Sequence, residues 1–208
     1  MFRAAFARLW LACVLVAPWL GAGTAFGQED QARTASYTHA PSQLVFPAEL
    51  GGLSLMQVRD YETSRPGLGV GIKYGLENPK ILADVYVYNA GRAVIPEGVG
   101  DPLVKGMFDR AVGDIREMGA TGRYQNVDYI GEDRIALGDA PGARSILRAR
   151  FGFTLEGAEV YSHVYLLAVH NHFVKLRFTY QREQAAQAQP LLGTALQALG
   201  KVVGSNVQ

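Results

Sequence analysis

His163, His170 and His172 are the side chains best suited to chemistry in this 208-residue chain, because three converging imidazoles could fill most of a zinc coordination shell. His39, the remaining histidine, lies far upstream. A two-residue turn at Glu156-Gly157 would place Arg150 opposite His163, and a cation beside a ligand nitrogen opposes metal binding. His170 and His172 fall at the tip of the next hairpin. The expectation is therefore one sheet histidine and two surface turn residues, with no metal bound. A metal-dependent binder or enzyme using His163, His170 and His172 is the alternative.

Arg144, Arg148, Arg150, Lys175 and Arg177 are close in sequence, but strand parity divides them. With two-residue turns, the three arginines share a face with Tyr161, His163 and Tyr165, while Lys175 and Arg177 point the other way. Arg148, facing Tyr165, is expected to snorkel over aromatic rings, with a cation-π pair or an anion contact as the alternatives. Gly67, Gly69 and Gly71 alternate, but the spacing fits neither phosphate-loop pattern and no helix follows, so they read as strand or bulge glycines. Gly-x-Ser-x-Gly and His-Glu-x-x-His are both absent. Glu132-Asp133, and Asp114 with Glu117, read as solvated carboxylates. No catalytic residue and no cofactor is expected.

The elements that would carry these residues follow from periodicity. Leu44 to Phe46, Leu53 to Tyr61, Gly69 to Tyr74 and Leu82 to Tyr88 read as strands separated by turns at Gly51-Gly52, Arg65-Pro66-Gly67 and Glu77-Asn78-Pro79-Lys80. In Val85-Tyr86-Val87-Tyr88 neither alternating set is charged, so both faces of that strand are expected to meet apolar cover. Asp101 as N-cap, Pro102 at the first helical position, and Val104, Phe108, Ala111, Val112, Ile115 and Met118 at helical spacing define the first cover. Gly119 and Gly122 should end that helix. Lys105 with Asp109 and Arg110 with Asp114 sit four apart on its wet side.

Tyr129 to Leu137 reads as a short irregular strand, and Asp139-Ala140-Pro141-Gly142 as a turn. Arg144 to Leu155, Ala158 to Val169 and Phe173 to Tyr180 then form a three-strand meander. Leu192, Ala195, Leu196, Leu199, Val202 and Val203 mark a closing helix, with Pro190 tolerable only in its first turn or at a kink.

Hydrophobic residues make up 49% of the chain and charged residues 19%, enough to build one core. The formal charge of +1 argues against nucleic acid as a partner. Residues 1–27 carry Arg3, Arg8 and an apolar run from Leu9 to Leu20, followed by Ala25-Phe26-Gly27, and read as a signal peptide cut between Gly27 and Gln28, with a cut after Ala25 as the alternative. Cleavage would remove two of twenty basic residues and none of nineteen acidic ones, leaving a charge of −1. It would also remove Cys13, the single cysteine, so disulfides and thiolate chemistry are excluded from the mature chain. Residues 28–43 lack apolar periodicity and read as a flexible linker, with 44–208 as a single domain.

In this order of elements, and in Val160 to Leu167 running through Phe173 to Arg177 to the closing helix, residues 44–203 resemble the PsbP-like α/β/α sandwich group. The layout is equally similar to exported bacterial domains without assigned function. The resemblance implies an α+β fold, an antiparallel sheet flanked by two helices, and an accessory or binding role. The expectation is an exported, periplasmic or extracellular, non-enzymatic adaptor for an envelope protein partner. A small-ligand carrier with a pocket between sheet and helix is the other alternative.

Overall fold

The computed structural model describes residues 36–138 and 142–204. The expected signal peptide with its Gly27/Gln28 cut, residues 28–35 of the linker and residues 139–141 of the expected turn lie outside the described residues. Among the described residues ten strands, two helices and one 3-10 turn follow in order: β1 (Tyr37–His39), β2 (Leu44–Phe46), β3 (Glu49–Leu50), β4 (Leu53–Asp60), β5 (Val70–Leu76), β6 (Ile81–Tyr88), α1 (Pro102–Ala120), β7 (Gln125–Ala136), β8 (Ser145–Leu155), β9 (Ala158–Val169), β10 (His172–Gln181), the 3-10 turn Arg182–Gln184, and α2 (Ala185–Gly204). β1 lies inside the stretch expected to be a flexible linker. That expectation fails for residues 37–43, because β1 pairs antiparallel with β2 and buries His39 and Ser42.

The other eight strands form one antiparallel sheet in the order β3-β4-β5-β6-β10-β9-β8-β7. Two meanders thus meet at a single seam: β3 to β6 build one half, α1 carries the chain to the far edge, and β7 to β10 return until β10 pairs with β6. The α+β class expected from the sequence is the one observed. The meander has four strands rather than three, since β7 is long and bends through two register shifts.

Alternation decides which face each side chain takes. Val85, Val87, Leu176 and Phe178 point toward α2 and join Leu192, Ala195 and Leu199 in one core. Phe151, Phe153, Leu166 and Phe173 point the other way and meet Phe108, Val112 and Ile115 of α1 in a second. β9 is buried on both faces from Val164 to Val169, so it reads as an unbroken apolar run.

Asp101 starts α1: its extended backbone lets the side chain accept from Leu103 N at 2.8 Å, and Pro102 follows where no N–H is needed. The Asp101→Ala variant should lose about 1 kcal/mol of stability, read as a lower urea midpoint with an unchanged slope. Lys105 pairs with Asp109, as expected, and also lies 3.4 Å from Glu132 on β7.

α2 begins earlier than the apolar pattern suggested. Pro190 is its sixth residue, beyond the first turn. The carbonyl left without a helical donor belongs to exposed Ala186, where water can serve it, which explains why proline is tolerated there. Among the described residues no helix is long and apolar enough to cross a membrane.

Candidate functional site

The three candidate histidines do not converge. His163 lies on the α2-facing side of β9, opposite Arg150 as its register required. Its ring stacks between Tyr165 and Tyr180, with Nε2 3.3 Å from the Tyr180 hydroxyl. Burial, reinforced by Arg148 and Arg150, holds its pKa down to about 4, so the ring is neutral near pH 7. His170 and His172 lie at the β9–β10 turn, about 20 Å away along the strand. Among the described residues no group of three His, Cys, Asp or Glu side chains is placed to hold a metal ion.

His172 is not a surface turn residue. The turn consists of His170 and Asn171, both with positive φ, and His172 is the first residue of β10. It is 8% exposed and meets His39 edge-on, with ring centroids 5.1 Å apart. His39 Nδ1 lies 2.7 Å from Ser42 Oγ, and His170 Nδ1 lies 2.9 Å from the Ser42 carbonyl oxygen. These contacts clasp the β1–β2 hairpin to the β9–β10 turn. Nothing in the short segment Tyr37-Thr38-His39 announced it, because three residues are too few to show a period.

The cationic cluster splits by parity, as expected, but Arg148 does not merely lie over aromatic rings. Its Nε donates to Asp133 Oδ1 at 2.8 Å and its Nη2 to Oδ2 at 2.5 Å, a bidentate pair across β7 and β8. Arg144 Nη1 donates to Glu97 at 2.7 Å. Arg148 and Arg144 are thus each taken up by a carboxylate of the chain itself.

On the opposite face, α1 lies over β7 and β9 and leaves β4, β5, β6 and most of β10 without a helix. Both faces of β6 were expected to meet apolar cover. The Val85 and Val87 face does throughout; on the other face Tyr88 packs against the α1 core, while Asp84 and Tyr86 look into a cleft of about 240 Å³. Across its floor runs a charge ladder fixed by register, Lys73 opposite Asp84 and Asp84 opposite Arg177. Lys73 Nζ is 3.8 Å from Asp84 Oδ1, and the Asp84 side chain retains 22% exposure. Burial raises the Asp84 pKa, against the opposing pull of Lys73, Arg177 and Lys175.

Arg177 is held in place by donation from Nε to Ser162 Oγ at 2.9 Å and from Nη2 to the Tyr124 hydroxyl at 3.1 Å. Tyr124 in turn stacks on Phe153, with centroids 4.2 Å apart and planes within 11°. Lys175 Nζ sits 4.6 Å from the Tyr86 ring centroid. Gly71 makes room for the tyrosine wall: a Cβ there would come within 2.9 Å of the Tyr61 ring. A smaller hollow of about 110 Å³ adjoins the cleft through Tyr61 and Tyr86 and reaches Lys175, Arg110 and Asp114 beside α1.

The alternating glycines do cradle an anion, and the anion is the chain's own. Both carboxylate oxygens of Glu62 accept from Gly67 N at 2.9 Å, and one also accepts from Gly69 N at 2.8 Å. This fastens the loop that carries Tyr61 at the rim of the cleft.

Sequence reasoning separated Lys175 and Arg177 from the arginines but did not reach the cleft. Lys73 and Asp84 come from the other half of the chain, and only the seam between β6 and β10 brings them to Arg177.

No protein-family model and no curated protein matches this chain. Solved structures similar to it in fold include two bacterial proteins. The cyanobacterial PsbP of Synechocystis is 12% identical with a TM-score of 0.48, the match covering 89% of this chain and 95% of that one. A protein of unknown function from Pseudomonas aeruginosa is 10% identical with a TM-score of 0.42, covering 79% and 94% respectively. The first bears the name of the group whose layout the sequence resembles, and both likenesses concern fold alone.

Proposed function

We propose that this chain is an exported, non-enzymatic accessory protein that binds a small molecule in the cleft beside α1. Of the two non-enzymatic binding readings that the sequence leaves open, protein adaptor and small-ligand carrier, the geometry favours the carrier. The observation that carries it is the Lys73–Asp84–Arg177 ladder on the floor of a tyrosine-walled cleft. A concave site with a few convergent polar groups and a perturbed carboxyl is the usual form of a ligand pocket.

The chemistry within reach supports binding more than bond-making. Ser162 Oγ, the hydroxyl nearest the ladder, is bonded to Arg177 and lies 3.3 Å from Thr179 Oγ1, while His163 next to it in sequence faces the other side of the sheet. A serine held by a guanidinium has no base to take its proton.

Native mass spectrometry of the full-length gene product recovered from cells tests this reading. The expected result is a chain beginning at Gln28 with a small molecule retained. A bare chain recovered under gentle conditions, or one that keeps residues 1–27, counts against the carrier or the export assignment respectively.

A further inference from the structure

The charges lining the cleft are unequal. Arg59, Lys73, Lys80 and Arg177 contribute cations, whereas Asp84 and Glu156 contribute the acids. Asp84 is already matched by Lys73 at 3.8 Å and stands in register beside Arg177, so its charge is spent within the floor. Glu156, Arg59 and Lys80 are all exposed at the rim, where solvent screens them alike, so the balance inside the cleft is Lys73 and Arg177 against Asp84. Arg177 uses two of its five N–H groups on Ser162 and Tyr124, which fix its plane and leave three donors for a further partner.

The walls are of another kind. Tyr61 and Tyr86 line both the cleft and the adjoining hollow, while Tyr124 and Phe153 form a stacked pair on the other side. Cations on the floor beside aromatic faces suit a molecule with two parts, a negative head and a flat body.

We infer that the cleft takes a small ligand carrying an anionic head, a carboxylate, sulfonate or phosphate, on an aromatic or flat apolar body. This rests on the small-ligand reading above and adds the chemical class. The head meets Arg177 and Lys73; the body lies along Tyr61 and Tyr86. Asp84 sets the strength: its carboxylate offsets part of the positive field, so the native site is weaker for anions than the same site without that charge.

Three probes that share one ring and differ only in charge test the inference, namely 1-naphthoate, 1-naphthalenemethanol and 1-naphthylmethylamine. Calorimetric titration of the purified protein at pH 7 should rank them in that order, naphthoate binding about tenfold more tightly than the alcohol. Asp84→Asn, nearly isosteric, should tighten naphthoate by about tenfold and leave the alcohol unchanged. Lys80→Gln, at an exposed rim position in the β5–β6 turn, should weaken naphthoate by about threefold. Preference for the amine, or weaker naphthoate binding in Asp84→Asn with the alcohol unaffected, overturns the anionic class while leaving a small-ligand site standing. If none of the three binds, the small-ligand reading itself falls.

Discussion

The Gly69→Ala variant should lose about 3 kcal/mol or more of folding stability, beyond what a glycine turn normally costs to replace. Gly69 has a φ of 62°, already unfavourable for alanine by about 1 kcal/mol. The larger part is steric. An added Cβ would lie 1.9 Å from the Val87 carbonyl oxygen and 2.8 Å from Tyr88 Cα, both backbone atoms that cannot rotate away. Relief requires the start of β5 to part from β6, and Gly69 N would then leave the Glu62 carboxylate. Gly157→Ala is the matched control, since φ there is 81° but a Cβ would meet nothing within 4 Å. Its cost should stay near 1 kcal/mol. Urea unfolding of both variants checks this, and equal losses would show that backbone torsion rather than the close approach to β6 sets the penalty.

Acid should loosen the histidine clasp as pH falls from 6.5 toward 4. Burial, and then the neighbouring His172, holds His39 at a pKa of about 4, while Glu62 and Asp60 act weakly the other way. An unfolded imidazole titrates near 6.5. Between those values the unfolded chain binds a proton that the folded chain refuses, so stability is fully present above about pH 6.5 and falls as pH drops toward 4. Over that window the loss attributable to His39 is about 3 kcal/mol. His163, lowered to about 4 for a similar reason, adds a fall of the same sign. The His39→Gln variant should therefore show a shallower decline than the parent protein between pH 6.5 and 4, measured as urea midpoints. Parallel curves would mean that His39 is not protected in the folded state.

What can be read from the chain depends on how far apart in sequence the partners lie. Helix α1 was legible because its determinants are local: Asp101, Pro102 and the apolar stripe from Val104 to Ile115 occupy consecutive turns. The β8–β9–β10 register was legible for the same reason, since two-residue turns at Glu156-Gly157 and His170-Asn171 leave almost no choice of pairing. That register put Arg150 against His163 and sent Arg177 to the other face. The β1 strand, the burial of His39 and the long bent β7 were not legible. Each depends on a short or irregular segment whose order comes from what packs on it, Ser42 and His172 in one case and the register shifts against β8 in the other.

The candidate site shows the same division most clearly. Alternation in β6 placed Asp84 and Tyr86 on one face, and the absence of charge in Val85 to Tyr88 suggested that this face was covered. Coverage is a matter of where a helix lands, and α1 lands on the β7–β9 half.

The amino-acid order alone fixed the elements with short-range periods, the side of the sheet each meander side chain takes, and the lack of any thiol beyond Cys13. Tertiary structure alone decided that β10 returns to β6, that Lys73, Asp84 and Arg177 become neighbours, and that the glycine loop grips Glu62. Strand direction and parity follow from covalent geometry repeated every two residues, so they can be counted along the chain. Which strands meet depends on burying two large apolar faces at once, a condition that no stretch of neighbouring residues expresses by itself.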